Sequence, residues 1–81
     1  MWHLQKFDGK TNELVAEFDY KDISVALGGI EETWPCVTYE YPSEDKITVK
    51  VWKTSVLYPF TKPEYIFEFT EQGSDTTTSN V

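Results

Sequence analysis

A strict two-residue alternation runs through PEYIFEFTEQ. Tyr65, Phe67 and Phe69 fall on one side, and Ile66, Glu68 and Thr70 on the other. Successive side chains of a β-strand point to opposite faces, so this spacing predicts a strand. One of its faces is unbroken aromatic surface, which has to meet a core. The rest of the chain must therefore supply the sheet neighbours and the covering layer that such a face demands.

The same period recurs upstream. In KITVKVW, Ile47, Val49 and Val51 alternate with Thr48, Lys50 and Trp52, and the β-branched run favours a strand. Ser43 followed by Glu44 and Asp45 also has the look of a helix N-terminus. The alternation decides for a strand, with Ser-Glu-Asp-Lys as its turn. CVTYEYP supplies a partner, with Val37, Tyr39 and Tyr41 facing one way and Cys36, Thr38 and Glu40 the other. Pro35 and Pro42 bracket it, as suits strand ends. Residues 36–53 are thus predicted to be a hairpin.

A first hairpin is expected at the start. Trp2 and Leu4 share one strand face, and His3, Gln5 and Phe7 the other. A loop of about five residues follows, signalled by Asp8-Gly9 and Asn12. Leu14, Ala16 and Phe18 then alternate with Val15, Glu17 and Asp19. Between the hairpins, Asp22 or Ser24 can cap a helix whose apolar positions are Ile23, Ala26, Leu27 and Ile30. Gly28-Gly29 is read as its stop, giving one short helix near 22–28. The pair does not read as a phosphate loop, which needs a preceding strand, a long following helix and usually a Lys. The fold class expected is α+β: an antiparallel sheet of four to five strands, two hairpins plus a C-terminal strand, with one short helix.

The chain has 81 residues, enough for one domain. Residues 1–71 are assigned to it. GSDTTTSNV lacks apolar pattern, and residues 72–81 are read as a disordered tail. Its final Ser-Asn-Val also fits a loose pattern for a C-terminal carboxylate that adds to a sheet edge. A domain this small buries only about 60% of the surface its unfolded chain exposes. Five Phe, five Tyr and three Trp supply the large buried areas it needs. Cys36 is the one cysteine, so no intrachain disulfide forms, which suits a reducing compartment. MWHLQKFDGK has no apolar core of a signal peptide, and no stretch approaches the ~20 apolar residues of a membrane span. The location expected is cytoplasmic.

Fourteen acids face seven bases, all lysines, for a net charge of −7. Phosphate contacts need clustered positive charge, so direct nucleic-acid binding is not expected. No catalytic signature is present, and the chain is read as a non-enzyme without cofactor. His3 and Cys36 are single copies, with no marked third group or oxyanion hole, and they make a poor zinc set. Cys36 reads as a small apolar residue and His3 as a surface strand residue. Glu17, Glu40 and Glu68 alternate with large apolar residues and read as a solvated sheet face. No Asp-x-Asp-x-Asp-Gly calcium loop occurs.

One mixture remains. Between Lys21 and Lys46 there is no base, and Glu31–Asp45 interleaves acids with aromatics. Tyr and Trp dominate binding hot spots, and complementary charge speeds association. The candidate partner-binding residues are therefore the acids Glu31, Glu32, Glu40, Glu44 and Asp45 with the aromatics Trp34, Tyr39 and Tyr41. Trp34, Trp52, Tyr20, Tyr58 and Tyr41 cannot all be buried in one core of so small a domain, and the alternative is that they form a second small core under the helix or the loop before Lys62.

KFDGKTNELVAEFDYKDIS (Lys6 to Ser24) and KPEYIFEF (Lys62 to Phe69) resemble the first hairpin and last strand of a family of small uncharacterised bacterial proteins, a domain of unknown function. Those proteins are similar in length and acidity. The resemblance covers about half the chain and carries no catalytic residues. It implies a helix where this chain has ITVKVW, against the strand read from the residues. The profile as a whole is similar to immunity proteins of bacterial toxin systems, which are short, acidic and aromatic-rich and block a toxin domain, often a basic nuclease. That profile implies a basic protein partner. Two other classes fit the same surface: a phage-type inhibitor that imitates nucleic-acid charge, and a generic protein-binding module.

Overall fold

In the computed structural model of the chain, described for residues 1–56, 58 and 60–72, each alternating segment is a strand. These are β1 (Trp2–Asp8), β2 (Leu14–Tyr20), β3 (Cys36–Ser43), β4 (Lys46–Trp52) and β5 (Tyr65–Glu71), with one helix, α1 (Ile23–Thr33), between β2 and β3. They form one sheet in the order β2-β1-β5-β4-β3, antiparallel at every pairing. The fold is α+β with five strands. ITVKVW lies in β4, so the helix implied there by resemblance is absent. The tail expected at 72–81 and the Ser79-Asn80-Val81 pattern lie outside the described residues, apart from Gln72.

β5 takes the centre because both of its edges and its aromatic face have partners. It pairs Leu4 with Phe69 and Lys6 with Phe67 on one side, and Ile47 with Phe69 and Val49 with Phe67 on the other. Phe69, Val49 and Val51 are fully buried, and Leu4 and Phe67 nearly so. Ala26 and Ile30 of α1 close this face, with Ile23, Leu27, Trp34 and Tyr39 packed around them. Antiparallel pairing throughout makes β2 and β3 run the same way at opposite edges. Parallel strands need a crossover, and α1 provides it.

The five residues between β1 and β2 match the loop expected. Asp8 accepts hydrogen bonds on Oδ1 from the amides of Lys10 (2.8 Å) and Thr11 (3.1 Å), while Asn12 adopts a positive φ of 65°. Those two amides hold the Asp8 carboxyl below its usual range, Lys10 first. Gly9 is required for a different reason. A Cβ there would sit 1.9 Å from the Pro63 carbonyl oxygen, and the Gly9 amide donates to Glu64 O at 3.0 Å. That contact ties the first hairpin to the segment leading into β5.

The helix corrects one expectation. It does not stop at Gly28-Gly29 but runs to Thr33, and among the described residues no glycine has a positive φ. Glycine in a helix interior costs about 1 kcal/mol against alanine, so the pair costs about 2 kcal/mol. Ile30, one turn beyond the glycines, is buried in the core, and burying such a side chain stabilises by roughly 1.5–3 kcal/mol. Packing wins. The true stop is Pro35: the residue before a proline is pushed to extended backbone, and Trp34 has φ −114° and ψ 129°. Asp22 caps the other end, accepting from Ser24 N at 2.9 Å.

Candidate functional site

The stretch from Glu31 to Asp45 spans the last turn of α1, the link through Trp34 and Pro35, all of β3 and the β3–β4 turn. α1 begins beside β2 and ends over β3, where the Tyr39 hydroxyl donates to the Glu31 carboxylate. Burial, and then this hydrogen bond, push the Tyr39 hydroxyl up to about 12. It stays a neutral donor at any ordinary pH and holds Glu31 in place. Glu32 lies beside it in the same turn, exposed.

Both glutamates sit at the negative pole of the helix dipole. Bases belong there on stability grounds, by about 0.3–1 kcal/mol each. The last turn of α1 has none. Two carboxylates and the negative pole of the helix dipole therefore add at one place, in a chain of net charge −7. Two residues beyond Tyr39 along β3, Tyr41 is 69% exposed.

The eight candidates do not form one surface. Trp34 turns inward, where its ring meets Tyr65 edge-on at 5.7 Å and packs on the core. Glu40 points to the opposite face of the sheet, where it pairs with Lys50 Nζ at 3.1 Å. Glu44 and Asp45 form the hairpin tip. Ser43 Oγ donates to Asp45 Oδ1 at 2.7 Å, and the Asp45 carbonyl accepts from Glu71 N at 2.8 Å. Glu31, Glu32, Tyr39 and Tyr41 are the residues the fold brings together.

The aromatic question divides in the same way. Trp52 lies on the face away from α1 and is nearly buried. Its Nε1 donates to Thr61 O at 2.9 Å, and Tyr58 stacks edge-on at 4.9 Å. Tyr20 and Trp34 pack against the main core. The small core under the segment before Lys62 thus exists, while Tyr41 stays exposed.

A second polar cluster lies on the open face of the first hairpin. His3 Nδ1 is 2.9 Å from Asp19 Oδ1, and its Nε2 is 3.0 Å from Glu17 Oε2. Gln5 Nε2 donates to the same Glu17 oxygen at 3.1 Å. A neutral imidazole has one N–H and one lone pair, so it can donate to one carboxylate only. The imidazolium donates to both. The hydrogen bond to Asp19, then that to Glu17, raise the His3 pKa above its ordinary 6.5. Gln5 and then His3 lower that of Glu17. Reading residues singly left His3 as a plain strand residue. The signal was the hairpin register, which sets His3 opposite Asp19 and Gln5 opposite Glu17.

Among the described residues, no group of three or more His, Cys, Asp or Glu side chains is placed to hold a metal ion, and no helix is long and apolar enough to cross a membrane. No protein-family model, no curated protein and no solved structure matches the chain.

Proposed function

We propose that this protein is an immunity-type inhibitor: it binds a basic effector or toxin domain and neutralises it by covering it. The observation that carries the reading is the end of α1. Glu31 and Glu32 occupy a helix pole where stability favours bases, beside an anchored Tyr39 and an exposed Tyr41. Glu32 is set against that local stability rule, and such departures are expected at functional sites. The carboxylates steer a Lys- or Arg-rich surface, and the two tyrosines supply contact area. Glu44 and Asp45 form a second acidic patch at the hairpin tip. A single half-buried cysteine suits action in a reducing, cytoplasmic setting.

The test is capture of partners by the tagged protein from extracts of its native cells at low and high salt, followed by association rates and an activity assay on the captured protein. Wild type should retain one basic protein, lose it as salt screens the charges, and inhibit it. Glu32→Lys with Glu44→Lys should slow association by about tenfold or more. Glu40→Lys, on the other face, should leave the rate nearly unchanged. Equal rates for all three proteins would remove the proposed surface. Displacement of this protein by DNA or RNA would assign it instead to the nucleic-acid-mimicking class.

A further inference from the structure

β2 is an edge strand. Its inner side pairs with β1, and among the described residues no strand lies on its outer side. Every other residue of such an edge presents an unpaired N–H and C=O, a template for a further strand. Natural edges are usually blunted with Lys, Pro or a tight covering element. β2, LVAEFDY, contains neither Lys nor Pro. A register slip leaves Val15 without a partner on β1, but Ala16–Tyr20 pair regularly to the end of the strand.

The two faces beside this edge differ sharply. On the helix side, a groove of about 350 Å³ lies between α1 and the sheet, lined by Phe18, Tyr20, Val25 and Gly29 among others. Phe18 is 50% exposed and Val25 65%. On the opposite side, Glu17 and Asp19 stand at the edge with exposed carboxylates, and Glu13 precedes the strand.

We infer that the β2 edge accepts an extended segment of a partner protein in which basic and apolar residues alternate. Such a segment extends the sheet as a sixth strand. Its apolar side chains enter the groove against Phe18 and Val25, and its Lys or Arg side chains meet Glu17 and Asp19 on the other face. Period-two alternation in the partner is what the two unlike faces select. A second copy of this chain is a poor occupant. Symmetric antiparallel pairing centred on Glu17, Phe18 or Asp19 sets Glu17 against Glu17, Glu17 against Asp19, or Asp19 against Asp19. Like charges directly opposite each other destabilise a pair of strands. Glu31, Glu32, Tyr39 and Tyr41 do not line this groove, and the inference does not depend on the inhibitor reading.

The experiment uses the isotopically labelled full chain and three synthetic peptides of seven residues, the length of β2. One alternates Lys and Val, one alternates Glu and Val, and one has the first composition with its lysines and valines in two separate blocks. Backbone amide shifts and hydrogen exchange are recorded, with sedimentation of the free protein. The alternating Lys/Val peptide should slow exchange at alternate β2 amides and shift Val25 and Gly29. It should bind about tenfold or more tightly than either other peptide. Equal binding of the block peptide would reduce the interaction to bulk charge and overturn the inference. Shifts confined to β3 or to the end of α1, or no binding, would overturn it too. So would a dimer whose β2 amides are already protected in free protein.

Discussion

The sheet has two edges, and they are finished differently. At β3, α1 comes down onto the strand through Glu31 and Tyr39, Lys50 of the neighbouring strand pairs with Glu40, and Pro35 and Pro42 interrupt the backbone donors. At β2 there is no proline and no lysine, and Leu14, Val15 and Phe18 stand about half exposed. Both edges are acidic, so charge alone does not separate them. What separates them is whether the backbone can accept another strand. Edge closure is a property of a few residue choices.

The largest expected effect breaks the anchoring of the open edge. Gly9→Ala forces a Cβ into the Pro63 carbonyl and should lower stability by about 1–3 kcal/mol, read from urea unfolding. Unchanged stability would mean that the β1–β2 loop is not held by that contact. Next come the helix glycines. A Cβ at Gly28 or Gly29 meets nothing within 4 Å, so Gly28→Ala and Gly29→Ala should each raise stability by about 0.5–1 kcal/mol. Only Gly29→Ala narrows the groove beside β2, so only it should weaken the alternating Lys/Val peptide. Equal binding by both variants would take the groove out of the comparison.

A smaller effect sharpens the other edge. Glu32→Lys places a base at the helix pole and should raise stability by about 0.3–1 kcal/mol at low salt, while slowing association with a basic partner. A variant that loses stability would show that Glu32 makes a structural contact. The smallest concerns His3, which links β1 to the open edge through Glu17 and Asp19. Its folded-state pKa is raised above 6.5, so its contribution is fully present below pH 6.5. It is lost as pH rises through the folded value. NMR titration of the imidazole should give a midpoint above 6.5 that returns toward it in Glu17→Gln with Asp19→Asn. A midpoint already at 6.5 in wild type would remove the link.

Much of this fold is legible residue by residue. Period-two alternation marks every strand and already places Glu40 on the opposite side from Tyr39 and Tyr41, because faces follow from counting. The glycine pair misleads over the helix end, since a local stop signal is weighed without the core contact of Ile30 beyond it. Neighbours in the sheet are a different matter. Alternation says which way Phe67 points but not which strands flank it, so the central place of β5 and the two unlike edges emerge only with pairing. The His3 cluster was within reach, since one hairpin register aligns all its members. The anchoring of Glu31 by Tyr39 was not, because it depends on where α1 crosses the sheet.

The position of β5 bears on biosynthesis. The strand that joins the two hairpins is the last described element to be made, and it pairs Trp2 with Glu71. Until it leaves the ribosome, the nascent chain holds two separate hairpins and an amphipathic helix with no common sheet to dock on. Assembly must then close almost the whole described chain in one step. Folds dominated by such distant pairings form slowly, and the interval leaves the inner edges of β1 and β4 open beside β2.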